Sequence, residues 1–406
     1  MNPRPLSRSL TPLEDESLAG FLLRLAKYTG TSPAVIAHRM GLADSKGSAI
    51  PAGSLLTLTS QQLTESAYVA RLSKAEMEGL LLASLGRRYG PLNQQYASWS
   101  DSQQLTYQRS WVYLRKTQFC TRCLTEDDSL HGVMLGGRWK KRWHLPVVFA
   151  CVEHRQLLKR NCPGCQHPAH AARAGILEHA ATEELHPTQC RASRDWRTSS
   201  KSDAICGTYL SDGAYNPVIS SDRRTRNELL ALQRRIDCRL SDYGPDEITS
   251  CGELVPVAQH FMDMRAVTAL IFISWPQARP LAITETLARA VGGEAKRRRL
   301  LVWDQRKRVK HGPIGDFFHE PPSRPLAVGA VLGIAERLLS ADDGSGDPSA
   351  LTEIYQRSAE IHPGVSARIA KAPGISPGLR RSFGPMSPRA AVDLHHRPPQ
   401  KAGVPK

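Results

Sequence analysis

The pattern of apolar and polar positions near the start of the chain predicts two short helices joined by a glycine turn. Apolar residues recur three and four positions apart, which places them on one face of a helix: Leu18, Phe21, Leu22 and Leu25. Gly30 suits the end of that helix, Thr31 or Ser32 can cap the next one, and Gly41 can stop it. The outline is that of a helix-turn-helix, which either reads DNA or only packs.

Helical patterns return along the rest of the chain, at 61–85, 223–240, 254–274, 283–291, 327–339 and 349–361. From Tyr107 to Phe119 aromatic and polar residues alternate, which favours a strand. Together with the closely spaced cysteine and histidine pairs at Cys120–Cys123, Cys151–His154 and Cys162–Cys165, which are typical of zinc sites, these patterns predict a fold class that is mostly α with small β zinc ribbons. The predicted domains are an N-terminal helical domain with the helix-turn-helix (1–105), tandem zinc-binding ribbons (106–215), a C-terminal helical domain (216–362) and a disordered basic tail (363–406).

Three pairs of metal-ligand residues, each at two-residue spacing, follow one another in the middle of the chain. They read Cys120-x-x-Cys123, Cys151-x-x-His154 and Cys162-x-x-Cys165. Such a pair bends back onto one tetrahedral zinc ion, and a second pair some tens of residues away completes the shell. Closing the intervening loop costs roughly 3 kcal/mol, whereas structural zinc supplies roughly 10 to 16 kcal/mol. The first two pairs therefore predict a complete Cys3His site.

The third pair needs two more ligands downstream. Cys190 and Cys206 are the favoured candidates, and Gly207 after Cys206 resembles the turn of a zinc knuckle. The spacing between these two cysteines is unusually wide, so a histidine remains an alternative ligand: His167, His170, His179 or His186. The sequence thus predicts two Zn²⁺ ions in total.

Both ions are expected to be structural, and the protein is not expected to be an enzyme. A nucleobase deaminase would carry His-x-Glu before Pro-Cys-x-x-Cys, and a metalloprotease would carry His-Glu-x-x-His. Neither motif occurs in the chain. A transposase or nuclease would need clustered carboxylates for two metal ions, and no paired set stands out near the basic runs.

The net charge of +16 predicts a polyanionic partner, double-stranded DNA before a membrane. One basic cluster surrounds Trp139 and Trp143, which either stack on bases or form core. A second run borders an apolar stretch that ends at Trp303. The predicted nucleic-acid contacts are Arg138, Lys140, Lys141, Arg142, Lys296, Arg297, Arg298 and Arg299. A generally solvated basic surface is the alternative.

The chain shows neither a secretory signal nor a membrane span. Acidic residues, Glu14 to Glu16, precede the only apolar stretch near the N-terminus, and Arg24 interrupts that stretch. We therefore expect a soluble cytoplasmic protein, bacterial and associated with the nucleoid, whose thiols stay reduced.

The order of these motifs resembles the TniQ family of transposition proteins. The resemblance follows the first 210 residues or so: Pro12-x-x-x-Glu16-Ser17-Leu18, Phe21-Leu22-x-Arg24-Leu25-Ala26, Phe119-Cys120-x-x-Cys123-Leu124, Arg138-Trp139, Cys151-x-x-His154-x-x-x-Leu158 and Cys162-Pro163-x-Cys165. Arg155 departs from the pattern, because a glycine commonly follows the zinc histidine in the family.

The resemblance implies a target selector that acts with a transposase and an AAA ATPase regulator. Some members of the family bind a DNA site, and others join an RNA-guided complex. A DNA site and an RNA-guided complex are therefore both candidate partners of this chain, and a homodimer is a further one. The segment from Glu16 to Arg24 is a candidate for protein contact. A zinc-containing helix-turn-helix transcription regulator is the alternative function, because it would share the charge and the helical outline.

Overall fold

The computed structural model describes residues 4–45, 49–96, 111–125, 134–136, 138–171, 176–177, 184–193, 204–212, 222–308, 317–340 and 348–384. Two compact units are formed, Met1–Pro245 with Glu320–Gly329 and Asp246–His319 with Ala330–Lys406. The described part is mostly helical, as predicted, and its strands are short. The predicted domain limits near 105 and 215 lie outside the described residues, so those boundaries stay predictions.

The first unit carries helices α1 (Leu18–Thr29), α2 (Pro33–Arg39), α3 (Ser60–Ala70), α4 (Lys74–Gly79) and α5 (Arg223–Leu240). Its one described hairpin pairs β1 (Ala150–Cys151) with β2 (Gln156–Leu157). Short 3₁₀ turns occupy Ala52–Leu55, Leu82–Leu85, Gly90–Leu92 and Lys141–His144. The core between these elements is aromatic and aliphatic and includes Phe21, Tyr89, Trp111, Phe119, Trp139 and Phe149.

The second unit contains an antiparallel hairpin of β3 (Glu247–Ser250) and β4 (Glu253–Pro256). Its helices are α6 (Val257–Ser274), α7 (Glu285–Arg308), most of α8 (Pro325–Leu339), α9 (Pro348–Ile361), α10 (Pro363–Ala370) and α11 (Pro377–Ser382). Helix α6 is buried along almost its whole length and forms the centre of this unit. No helix among the described residues is long and apolar enough to cross a membrane.

The two predicted N-terminal helices are present, with the predicted caps. Gly30 ends α1 in the left-handed conformation at φ 66°, which costs glycine little because it lacks a Cβ atom. Ser32 caps α2 by accepting a hydrogen bond from the Val35 amide, and Pro33 occupies the first turn. DNA reading by this helix pair stays a prediction.

Glu16 and Arg24 pair with each other inside the protein. Arg24 Nε lies 2.6 Å from Glu16 Oε1, and Arg24 Nη2 lies 2.8 Å from Glu16 Oε2. The Leu13 amide also donates to the Glu16 carboxylate. The side chains are 0% and 6% exposed, respectively. The charges of these two residues are therefore used within the unit, and protein contact by the segment from Glu16 to Arg24 stays a prediction.

The expected disorder of the tail is wrong for 363–384, where α10 and α11 form. Val365 and Ile369, four residues apart on α10, and Leu379 on α11 are buried there. Ser376 caps α11, and its amide donates to the buried Asp263 carboxylate at 2.8 Å. The high proline, glycine and arginine content of the segment concealed these few apolar positions. Residues 385–406 lie outside the described part of the chain.

Replacing Glu16 with Gln should lower the free energy of unfolding by about 3 kcal/mol, because Arg24 would stay buried without its carboxylate. Urea unfolding followed by tryptophan fluorescence measures the change. The control is Arg357→Gln, which breaks a surface pair with Glu360 whose side chains are more than half exposed. That control should cost less than about 1 kcal/mol. Equal losses in the two variants would contradict the structural role of the buried pair.

Candidate metal centres and basic surfaces

The first two predicted ligand pairs meet in one buried cluster. The ligand atoms of Cys120, Cys123, Cys151 and His154 all lie within 4.8 Å of one another. The Cys123 and Cys151 sulfurs are 3.6 Å apart, and His154 Nδ1 lies 3.2 Å from Cys123 Sγ. A tetrahedral zinc ion with Zn–S bonds of about 2.3 Å sets its sulfurs about 3.8 Å apart. The cluster therefore has the size of a tetrahedral metal shell.

The hairpin of β1 and β2 presents the second half of this cluster. Cys151 ends β1 opposite Gln156 on β2. The His154 amide faces Cys151 Sγ at 3.5 Å, and the Cys123 amide faces Cys120 Sγ at the same distance. Arg155 completes the turn with a positive φ of 50°. This left-handed position is the physical reason why glycine would suit the site, and arginine occupies it here with some strain.

Gln156 contacts the cluster from outside the ligand set. Its Nε2 lies 2.7 Å from Cys120 Sγ and 3.3 Å from Thr121 Oγ1. The residue is buried, and its amide is a side-chain donor to Cys120 Sγ from outside the ligand set. Outer donors of this kind orient metal ligands and tune their affinity. The spacing of the ligand pairs in the sequence gave no sign of Gln156, because its role depends on the pairing of β2 with β1.

The third pair meets Cys190 and Cys206, as the sequence favoured. The sulfurs of Cys162 and Cys206 are 3.8 Å apart, and those of Cys165 and Cys190 are 3.7 Å apart. All four lie within 4.8 Å of one another. These distances are again those of a tetrahedral shell.

A ladder of backbone bonds explains why Cys190 and Cys206 meet across a wide spacing. The Cys190 amide donates to Thr208 O at 2.9 Å, and the Cys206 amide donates to Ala192 O at 2.9 Å. Isolated antiparallel bridges join Gln189 to Tyr209 and Ser193 to Ile205. The two cysteines therefore lie on paired segments, Cys190 opposite Thr208 and Cys206 opposite Ala192, so a local two-residue spacing is not needed.

The competing histidines that the structure describes stand outside both clusters. His167 and His186 bond their own neighbours, Pro168 O at 2.9 Å and Thr188 Oγ1 at 2.7 Å. His170 packs against Trp139, and burial lowers its pKa well below the usual value. His179 lies outside the described residues. Among the described candidates, Cys190 and Cys206 are the ones brought to the third pair.

In each cluster the close packing of the thiols lowers the pKa of one cysteine and raises the pKa of another. A hydrogen bond with the Cys190 thiol lowers the pKa of Cys162 to about 5, whereas burial raises the pKa of Cys165 to about 11. In the first cluster, hydrogen bonds with Cys123 and Cys151 lower the pKa of Cys120, and the bond with Cys120 raises the pKa of Cys123. Four buried thiols cannot all ionise side by side without a cation. The donor sets therefore fit two metal ions.

The basic cluster around Trp139 serves the interior of the first unit. Trp139 is only 1% exposed, and Trp143 is also buried, so the interpretation as core is confirmed and base stacking by them is wrong. Arg142 Nε lies 2.6 Å from Asp15 Oδ2, and Lys141 Nζ bonds Ser84 Oγ at 2.9 Å and the Gly79 carbonyl. These two cations hold the polypeptide ahead of α1 and the end of α4.

The remaining cations of this cluster are less enclosed. Lys140 Nζ stands 4.0 Å from Glu153, and Arg138 Nη1 stands 3.6 Å from Glu14. Arg138 is exposed and Lys140 half-buried. Phosphate contact by the basic cluster around Trp139 stays a prediction. Arg138 is exposed enough to reach a phosphate group.

The second basic run divides between the two faces of α7. Arg298 is 0% exposed, bonds Glu294 at 3.2 Å and the Phe317 carbonyl, and lies over the Phe272 ring at 4.3 Å. Its prediction as a phosphate contact is wrong, because helical periodicity turns it into the core. Arg297 pairs with Glu294 at 2.6 Å. Lys296 and Arg299 are exposed.

Helix α5 carries a basic face that the sequence analysis missed. Two pairs of exposed arginines, Arg223 with Arg224 and Arg234 with Arg235, lie three helical turns apart. The opposite face is apolar and buried, with Leu229, Leu232 and Ile236. The spacing of eleven residues between the pairs was the available signal, since it returns to the same side of a helix.

These features define a basic, mostly helical protein with two clusters that could each hold a metal ion. Residues 7–158 match the family model TniQ, so the resemblance is confirmed and the chain carries a TniQ domain over those residues. The match includes the first cluster and ends before the second. No curated protein matches the chain.

Replacing Cys151 with Ser should reduce the metal bound from two ions to one per chain, because three ligands hold zinc far more weakly than four. Elemental analysis of the purified, desalted protein measures this. The matched control is Cys238→Ser, at an exposed cysteine of α5 outside both clusters, which should keep both ions. Unchanged metal content in the Cys151 variant would contradict the ligand assignment.

Replacing Gln156 with Leu should weaken the metal affinity of the first cluster by about tenfold or more, because the Cys120 sulfur loses its side-chain donor. Competition with a coloured chelator measures the affinity. The second cluster is the internal control, since Gln156 is not one of its ligands. Release of both ions at the wild-type chelator concentrations would show that the amide has no such role.

Proposed function

We propose that this protein is a DNA-binding, zinc-stabilised target-selection adaptor of a transposition system. It recruits an AAA ATPase regulator and a transposase to a target site. The observation that carries the proposal is the TniQ domain over residues 7–158, with the first metal cluster inside it. A target selector of this family works by binding and recruitment, and the role requires no catalytic residue.

Zinc is the metal that these sites suit best. Sulfur-rich sets of three cysteines with one histidine, and of four cysteines, are typical structural zinc shells. Each set already supplies four protein ligands, so a tetrahedral ion would have no open position for a substrate. The ions would then serve as cross-links of the region between Cys120 and Cys206.

Double-stranded DNA is the proposed nucleic-acid partner, and the basic face of α5 supports the contact. The face carries four exposed guanidinium groups spread over about 18 Å of helix. Guanidinium groups bind phosphate oxygens and release the counterions condensed on the duplex. Arg138, which is exposed in the same unit, is a further candidate.

The variant Arg234→Gln/Arg235→Gln should flatten the dependence of duplex affinity on salt by about two units of logarithmic slope, because two phosphate contacts are lost. Fluorescence anisotropy with a labelled duplex across a salt series measures the slope. The matched control is Arg279→Gln/Arg357→Gln, which removes two exposed arginines that already pair with glutamates. An unaltered slope in the α5 variant would exclude the basic face of α5 as a DNA contact.

Recruitment of an AAA ATPase to DNA distinguishes a target-selection adaptor from a transcription regulator. If the role is correct, an AAA ATPase encoded beside this gene should be retained on bead-bound target DNA only when the metal-loaded protein is present. A regulator would bind an operator near its own gene and leave the ATPase in solution. Retention that is independent of this protein would contradict the proposal.

A further inference from the structure

One face of α7 leaves an aromatic ring and an aliphatic side chain open to solvent. Leu300 and Trp303 are each 56% exposed. Tryptophan is usually buried for most of its surface, so an indole that is more than half exposed on a packed helix is unusual. The opposite face of α7 is in the core through Val291, Ala295 and Val302. The helix is therefore fixed, and the indole is presented outward.

Cations surround these two side chains along the same stripe. Lys296, Leu300, Trp303 and Lys307 follow one another at spacings of four, three and four residues, which places them on one face over about 17 Å. All four are exposed, as is the neighbouring Arg299. Lys307 Nζ lies 3.5 Å from the centre of the Trp303 ring. The stripe combines an aromatic face with positive charge.

We propose that this stripe binds single-stranded nucleic acid, with a base stacked on Trp303 and phosphates held by Lys296 and Lys307. Charge complementarity selects a polyanion, and the chain itself carries a net charge of +16. The aromatic ring selects a polyanion with accessible flat faces, which a single strand has. In a duplex those faces are covered by neighbouring bases, so paired DNA would use only the lysines.

The contact extends the proposed function to an unpaired strand and does not require the ATPase. Lys307 covers part of the indole, and more than half of the Trp303 side chain stays exposed with Lys307 in place. That open part is where the base would stack. A lysine beside the same ring would then meet the adjacent phosphate, an arrangement that tolerates any base.

Fluorescence anisotropy with the full-length, metal-loaded protein tests the inference. The probes are a labelled 20-nucleotide oligothymidine, its RNA counterpart, a strand of the same length without bases, and a duplex. Trp303→Ala should weaken binding to the two strands that carry bases by about tenfold, the effect of losing one base–aromatic stack. Binding to the strand without bases should not change. Trp303→Phe, which keeps a ring, should retain most of the affinity.

Matched control variants show whether removing any exposed aromatic ring or any exposed lysine has the same effect on binding. Tyr243→Ala removes an aromatic ring that is 99% exposed in the other unit and should leave every affinity unchanged. Lys296→Gln should flatten the salt dependence for all four probes, whereas Lys74→Gln, at an exposed lysine of α4, should not.

The inference would be overturned by unchanged strand affinity in Trp303→Ala, by equal wild-type affinity with and without bases, or by weaker binding of polyglutamate in Trp303→Ala. The last would point to an acidic protein as partner. A wild-type protein that binds the duplex and ignores single strands would overturn this inference alone and leave the proposed function standing. Comparison of the DNA and RNA strands identifies which source supplies the bases.

Discussion

The crowding of cysteine and histidine side chains in two small clusters is the constraint on which the first unit depends. Each cluster gathers four ligand atoms within 4.8 Å, and the ligands come from segments up to 44 residues apart. The described strands in this region are two residues long, and most other pairing consists of isolated bridges. Such short pairing provides little independent stability. Thiols packed this closely need a cation to ionise together, and the cation would in turn fix segments that the backbone bonds alone hold weakly.

Trp139 connects this metal-binding region to the N-terminal helices. Its carbonyl accepts a hydrogen bond from the Ser17 amide at 2.8 Å, and its indole donates to Pro187 O at 3.3 Å. Gly20 of α1 lies against it so closely that a Cβ atom there would stand 2.6 Å from Trp139 Cβ. The basic residues near Trp139 stabilise the same contact region. Lys141 and Arg142 bind Ser84 and Asp15 within the first unit. Motif residues of the TniQ domain thus have structural tasks, since Ser17 caps α1 and Glu16 neutralises Arg24.

Local signals made part of the fold predictable from the sequence. The caps at Gly30 and Ser32 and the two-residue ligand spacings depend on neighbours along the chain, and the structure has them as expected. The wrong predictions concern which side chains point into the core and which point to solvent. Arg298 and Trp139 look like nucleic-acid contacts in a linear reading, yet their burial is decided by elements distant in sequence. Gln156 and the pairing of Cys190 with Cys206 depend on strand register, and the helices α10 and α11 depend on a buried partner such as Asp263.

The composition of the two metal shells can be measured directly. X-ray absorption at the zinc edge, combined with elemental analysis of the purified full-length protein, counts the ions and identifies their ligands. Zinc in both clusters requires two zinc ions per chain, one bound by three sulfurs and one imidazole nitrogen and the other by four sulfurs, with Zn–S distances of about 2.3 Å. A folded protein that contains no metal, or zinc bound mainly by oxygen, would contradict this assignment.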